Sequence, residues 1–92
     1  MLLRDKVQSK STELSGTEFS EKVLEQISST VLNLNNRTES SEVLDDLSDV
    51  LELLNCYMST QNIKPSIVLE HASSLRNELG SYSKKRLRVE GE

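Results

Sequence analysis

Two aspartates in residues 41–58 have the spacing of a metal-binding pair. Asp46 and Asp49 are three residues apart, and side chains at that spacing project from the same side of a helix. Asp49 also lies between Leu47 and Val50, beside the apolar positions, where an unpaired carboxylate would be costly to bury. A divalent cation offsets that cost, because it prefers carboxylate oxygens as ligands. The spacing indicates either a metal-binding pair or an acidic helix face in contact with water.

The stretch that carries these aspartates has the period of an amphipathic helix. We expect Ser40 or Ser41 to cap it, and we predict a helix over residues 41–58. Its apolar residues recur in steps of three and four, which gathers them into one stripe; they are Val43, Leu44, Leu47, Val50, Leu51, Leu54 and Met58. The two aspartates therefore lie at the edge of the face that this helix would bury.

Amphipathic patterns also flank this helix on both sides. The first begins at Thr17, the expected cap, and ends in a turn at residues 35–37. After the connector at residues 59–64, Pro65 suits the first turn of a third helix, and Gly80 is expected to end it. Within the connector, Asn62 can adopt the left-handed conformation that ends a helix.

The composition favours a single all-α domain over residues 1–92. The chain has three Gly, one Pro, no Trp and only 35% hydrophobic residues, so one copy has a thin core. We expect an N-terminal segment at residues 1–16, a basic C-terminal tail at residues 80–92, and a bundle completed by homo-oligomerisation as a dimer or tetramer.

Charge and hydropathy exclude two classes of partner. The net charge of −4 argues against general nucleic-acid binding, and no apolar run is long enough to enter a membrane as a spanning helix. The tail nevertheless concentrates basic residues that either attract phosphates or simply keep it soluble; they are Lys84, Lys85, Arg86 and Arg88. One cysteine and no signal peptide predict a cytoplasmic protein.

Three segments resemble motifs of the MazG-like, all-α nucleoside triphosphate pyrophosphohydrolases, and especially the phosphoribosyl-ATP pyrophosphohydrolase branch. The opening at residues 2–7, LLRDKV, is similar to the family's K-L-V-R-D-K-I-P segment. Residues 45–54, DDLSDVLELL, resemble E-E-L-A-D-I-L-E-V-I, and residues 79–85, LGSYSKK, resemble R-G-G-F-E-K-R. The resemblance implies a MazG-like helical bundle in which acids from two helices hold Mg²⁺ against nucleotide phosphates.

The chain departs from the family in the first half of that metal site. The second half survives as Asp46 and Asp49, but the three acids expected on the first helix are replaced by Ser29, Thr30 and Asn33. A shifted alignment gives Glu25, Gln26 and Ser29, which keeps one acid. Neutral ligands cannot offset the charge of Mg²⁺ near a triphosphate as carboxylates do. The resemblance therefore implies the fold with more force than catalysis.

We expect a catalytically impaired protein that holds or sequesters a nucleotide or nucleotide-derived signal and requires no cofactor. The predicted ligand-binding residues are Arg4, Lys6, Ser29, Thr30, Asn33, Asp49, Tyr82, Lys84, Lys85 and Arg86. One alternative is an active pyrophosphohydrolase that uses Mg²⁺ with Glu25, Asp46, Asp49 and Glu52. Another is a non-enzymatic helical adaptor. We expect packing roles for His71 and Cys56, and the tail residues that would dock on the bundle are Tyr82, Leu87 and Val89.

Overall fold

The computed structural model describes residues 1–91, and it is all-α within that range, as the composition predicts. Helix α1 spans Gly16–Asn33 and continues into a short 3-10 turn at Leu34–Asn36. Helix α2 spans Ser40–Thr60 and helix α3 spans Pro65–Leu79. Residues 1–15, called the N-terminal segment below, and residues 80–91 of the tail contain no helix. Glu92, the last residue of the predicted tail, lies outside the described residues.

Helix α1 begins earlier than predicted, because Ser15 and not Thr17 is its cap. The Ser15 hydroxyl oxygen accepts a hydrogen bond from the backbone N–H of Glu18 at 3.3 Å, and the Ser15 hydroxyl donates to the Glu18 carboxylate at 2.9 Å. A Ser followed three residues later by Glu is a recognised helix start, so the signal was present in the sequence. Gly16, which the sequence assigned to the N-terminal segment, is the first helical residue.

The limits of the other two helices follow the local signals more closely. Asn62 has a φ of 57° in the left-handed region, Pro65 opens α3, and Gly80 ends it with a φ of 86°, all as predicted. The predicted cap of α2 is wrong: Glu39 precedes its first turn and makes no side-chain capping hydrogen bond. Helix α2 also extends two residues beyond the predicted end, to Thr60.

The predicted thin core is confirmed. In residues 1–91 the buried apolar side chains are Val23 on α1 and Leu53 on α2, which is 8% exposed. Helices α1 and α2 form the one extensive helix pair in this range, joined by the short connection at residues 34–39. Helix α3 has no buried residue, and Val68 is its one half-buried apolar side chain, so most of its apolar stripe is not covered by its own chain.

Two predicted packing arrangements are wrong. The tail does not dock on the bundle, because Tyr82, Leu87 and Val89 are all exposed. His71 does not pack either, since it lies on the exposed surface of α3. Cys56 is half-buried on α2, an intermediate position that fits its predicted packing role in part. No helix among the described residues is both long and apolar enough to cross a membrane.

Replacing Leu53 with Ala tests whether this small core holds the fold together. We expect the free energy of unfolding to fall by about 2–4 kcal/mol, because a buried leucine is replaced by a cavity. The measurement is urea denaturation at one fixed protein concentration. Leu32→Ala is the matched control, since Leu32 is 68% exposed on α1, and it should change the free energy by no more than about 0.5 kcal/mol. Equal losses for the two variants would contradict the assignment of the core.

Candidate functional site

The N-terminal segment lies across α1 and α2 and encloses a cleft with them. The backbone N–H of Leu2 donates to the side-chain oxygen of Gln26 on α1 at 2.8 Å. Arg4 reaches α2, where its Nη2 lies 2.9 Å from Oδ1 of Asp49. These two contacts fix the segment above a broad, open cleft of about 1530 Å³.

The cleft brings together six of the predicted site residues from three separate parts of the chain. They line it together with Glu25 and Gln26, and they are Arg4, Ser29, Thr30, Asn33, Asp46 and Asp49. The remaining predicted ligand residues do not line it in the described part of the chain; they are Lys6, Tyr82, Lys84, Lys85 and Arg86. Tyr82 and the three basic tail residues are exposed.

Asp46 is held by an arginine that the sequence analysis did not assign to the site. Nε and Nη2 of Arg37 lie 2.8 and 3.3 Å from the two carboxylate oxygens of Asp46, and Nη1 lies 2.9 Å from Glu42. The side chain of Asp46 is only 14% exposed, so this two-pronged pair is more shielded from water than an ordinary surface pair. The hydrogen bonds that Arg37 donates to the Asp46 carboxylate, the negative charge of Asp46, and then the same two effects of Glu42 raise the pKa of the Arg37 guanidinium above its ordinary value.

Backbone geometry places Arg37 at this position. It follows the 3-10 turn at the end of α1, where its N–H donates to the carbonyl oxygen of Leu34 at 3.2 Å. The side chain then reaches forward onto the first turns of α2. The sequence signal for this contact is an arginine in a helix-ending turn, five and nine residues before the two acids Glu42 and Asp46.

Both members of the predicted metal pair therefore face a guanidinium. Asp49 pairs with Arg4, but this pair is more exposed to water than the pair between Arg37 and Asp46, and an exposed pair contributes little to stability. Glu25, which the enzyme alternative requires, pairs with Lys22 at 3.1 Å, and Glu52 does not line the cleft.

This donor set does not fit a Mg²⁺ centre. Magnesium needs several oxygen ligands in near-octahedral geometry. Among residues 1–91 no group of three or more His, Cys, Asp or Glu side chains is arranged to hold a metal ion. The carboxylates that line the cleft on α2 are instead engaged by Arg37 and Arg4.

Polar side chains of α1 form the opposite wall of the cleft. Gln26, Thr30 and Asn33 recur in steps of four and three, and Ser29 lies beside them, so one side of the helix presents amides and hydroxyls. Gln26 was not a predicted ligand residue in the preferred alignment. The helical spacing that groups it with Thr30 and Asn33 could have identified it from the sequence. Its side-chain oxygen accepts the hydrogen bond from Leu2 that holds the N-terminal segment.

The formal charges around the cleft nearly cancel. The basic lining residues are Arg4, Lys10, Lys22 and Arg37. The acidic ones are Asp5, Glu13, Glu25, Asp46 and Asp49. An anion entering this cleft would consequently be recognised by the direction of nearby donors and not by a strong net positive field.

Comparison with protein-family models, curated proteins and solved structures finds no match for this chain. The resemblance to MazG-like proteins therefore rests on the three sequence segments, and it stays a prediction.

A double-mutant cycle tests whether Arg37 and Asp46 form one unit. We expect Arg37→Gln and Asp46→Asn each to lower the melting temperature, because either change leaves the other charge without its partner. The double variant should melt no lower than the less stable single variant. The measurement is thermal unfolding followed by circular dichroism, at low and at high salt. Strictly additive losses would show that the two side chains act independently.

The thiol of Cys56 reports on the charges along α2. Partial burial raises the pKa of this thiol, the carboxylates of Glu52 and Asp5 raise it further, and Arg4 lowers it. A raised pKa reduces the thiolate fraction at neutral pH, and the thiolate is the reactive form.

Alkylation of Cys56 by iodoacetamide should therefore reach its pH midpoint above that of free cysteine. Glu52→Gln should lower the midpoint, since it removes the nearer carboxylate, one helical turn from the thiol. Asp45→Asn is the control, with the same loss of charge eleven residues from Cys56. If the control lowers the midpoint as much as Glu52→Gln does, the local explanation is wrong.

Proposed function

We propose that this chain binds a nucleotide or a nucleotide-derived anion in the cleft beneath its N-terminal segment and holds it without hydrolysis. The observation that carries the proposal is the convergence of residues that are far apart in sequence. Arg4, the polar side of α1 at residues 26–33, and Asp49 line one cleft. Such convergence is how a fold builds a binding site from separate elements.

Neutral groups on α1 supply the donors that a nucleotide needs. The hydroxyls of Ser29 and Thr30 and the side-chain amide of Asn33 each donate and accept hydrogen bonds, which suits phosphate oxygens and base edges alike. Arg4 adds a guanidinium with five N–H donors, of which the contact with Asp49 engages the Nη2 group. Its remaining donors are available to a phosphate that enters beside the N-terminal segment.

The arginine pairs on α2 support binding without a metal ion. In an enzyme of the MazG-like type, Mg²⁺ would screen carboxylates from the phosphates. Here Arg37 neutralises Asp46 and Arg4 neutralises Asp49, so the acidic side of the cleft is screened by the chain itself. This arrangement reduces repulsion of an anion, and among the α2 carboxylates of the cleft it leaves only Oδ2 of Asp49 without a basic partner, which is too few oxygens to hold the metal that would polarise a phosphate.

The sequence resemblance supports a nucleotide over other anions. The three segments that resemble MazG-like pyrophosphohydrolases include Arg4 and Asp49, which both line the cleft. The alternative of a magnesium-dependent pyrophosphohydrolase requires Glu25, Asp46 and Asp49, which this structure pairs with basic side chains. It also requires Glu52, which does not line the cleft. A helical adaptor without a ligand is the remaining alternative, and the same experiment separates all three.

Titration calorimetry with a panel of linear and cyclic nucleotides, with and without Mg²⁺, tests the proposal. We expect at least one nucleotide to bind without the metal. Ser29→Glu should weaken that binding by about tenfold or more, because it places a carboxylate inside the cleft near the anion. Ser28→Glu is the matched control, since it adds the same charge at a neighbouring position that does not line the cleft, and it should change the affinity by less than about twofold.

Two outcomes would contradict the proposal. Rapid magnesium-dependent release of pyrophosphate by the unmodified chain would establish the enzyme. Failure of every nucleotide to bind, with the fold intact by circular dichroism, would favour the adaptor.

A further inference from the structure

One side of α2 carries a row of uncovered apolar side chains. Leu44, Leu47, Leu51 and Leu54 are exposed, and Met58 is half-buried at the end of the row. Their steps along the helix are three, four, three and four, which is the spacing of a seam between packed helices. These five residues are called the α2 seam.

The α2 seam is separate from the face of α2 that packs on α1. That face has its own row of buried and half-buried residues at the same spacing, formed by Val43, Asp46, Val50, Leu53 and Tyr57. At about 100° per residue, the two rows lie roughly a third of a turn apart around the helix. Helix α1 covers the first row and leaves the α2 seam open.

The described chain offers nothing else to cover the α2 seam. Helix α3 follows α2 directly, yet α1 with α2 is the extensive helix pair, and α3 exposes apolar residues of its own. Those large exposed side chains are Ile67, Leu69, Leu75 and Leu79. Exposed apolar rows of this kind mark an interaction site.

The dimensions of the chain indicate how much surface is uncovered. Its accessible surface is 8568 Å², whereas a compact monomer of 10.4 kDa exposes about 5,400 Å². Its radius of gyration is 16.6 Å, against about 12 Å for a compact chain of this length. Both the terminal segments and the uncovered faces of α2 and α3 contribute to this excess, since their apolar side chains are exposed. A stable interface requires only about 800 Å² from each partner.

We propose that the α2 seam is the contact surface for a second copy of this chain, with the two α2 helices antiparallel and the Leu51 side chains meeting at the two-fold axis. Leu51 is 62% exposed and is the middle residue of the seam, so a two-fold axis there pairs Leu44 of one copy with Met58 of the other. Seam residues then face seam residues along its whole length.

The distribution of charge on α2 selects the antiparallel arrangement. The helix has no Lys, Arg or His, and all of its acids lie in its first thirteen residues; they are Glu42, Asp45, Asp46, Asp49 and Glu52. Arg37 and Arg4 offset two of these five charges, so parallel helices would set two halves that are still acidic side by side, within the range of about 10 Å over which charges interact. Antiparallel helices with Leu51 at the axis place Glu42, Asp45 and Asp46 of each copy beside the uncharged residues 56–60 of the partner, so that only Asp49 and Glu52 lie near the axis. They also oppose the helix dipoles favourably.

This inference does not depend on the ligand proposed for the cleft. The α2 seam and the cleft involve different residues, so loss of self-association and loss of nucleotide binding are separately measurable. A chain that binds nucleotide but stays monomeric would refute only the α2 pairing.

Disulfide cross-linking tests the arrangement directly, in chains that carry Cys56→Ser to remove the native thiol. Leu51→Cys should form a covalent dimer under mild oxidation, because the two sulfur atoms meet at the axis. Leu44→Cys alone should not, since its two copies would lie about 21 Å apart along the helices. A mixture of the Leu44→Cys and Met58→Cys chains should cross-link as a heterodimer.

Light scattering provides the second measurement. The unmodified chain at micromolar concentration should have at least twice its mass of 10.4 kDa, and Leu51→Glu should reduce it to that of one chain. Mixing the Leu51→Glu chain with a Leu51→Lys chain should restore the dimer, which excludes misfolding as the cause. Leu32→Glu is the matched control on an exposed leucine of α1 and should keep the unmodified mass.

A mass of four chains with the same cross-linking pattern would support the α2 pair as one interface of a tetramer. The proposal is overturned if the unmodified chain is monomeric, or if Leu44→Cys cross-links to itself and Leu51→Cys does not.

Discussion

The contact between α1 and α2 is the interaction on which the rest of the structure depends, because it buries the two core side chains, Val23 and Leu53. Among the described residues, a core this small contains no side chain from any other element. The N-terminal segment is attached to that helix pair by the hydrogen bonds of Leu2 and Arg4, whereas α3 and the described tail residues follow α2 along the chain without an extensive contact to either helix. Both the cleft and the α2 seam exist because two helices cannot cover every face that they present.

In this cleft, arginine side chains neutralise the carboxylates that a metal ion would neutralise in a metal site. Arg37 approaches Asp46 through two nitrogens, and Arg4 approaches Asp49 through one. A guanidinium carries one charge and a fixed planar set of donors, so it neutralises a carboxylate without supplying open coordination positions. The proposed change from hydrolysis to holding a ligand follows from that difference in chemistry, since screening is retained and polarisation of a phosphate is not.

Local rules predicted the local features of this fold. The helical periods, Pro65 at the start of α3 and the left-handed Asn62 depend on residues that are close in sequence, and they were correct. The pair between Arg37 and Asp46 was missed, because it depends on how the turn after α1 directs a side chain onto the next helix. The exposed position of the tail was also missed, since apolar spacing predicts which face favours burial and not which neighbour covers it.

Part of the candidate site could also be predicted. The predicted residues of α1 and α2 line one cleft together with Arg4. Helical spacing places the residues of each helix on one side of that helix, and this depends only on residues that are close in sequence. The basic tail residues did not join them within one chain, because the predicted docking of the tail required long-range packing that Tyr82 and its neighbours do not make.

The short connection at residues 34–39 has a further consequence for the order of folding. The pair between Arg37 and Asp46 beside it joins residues nine positions apart, whereas the contacts from Leu2 to Gln26 and from Arg4 to Asp49 join residues 24 and 45 positions apart. During synthesis the N-terminal segment therefore stays unattached to α2 until the ribosome has released Asp49, after Gln26 and the rest of α1 have already emerged.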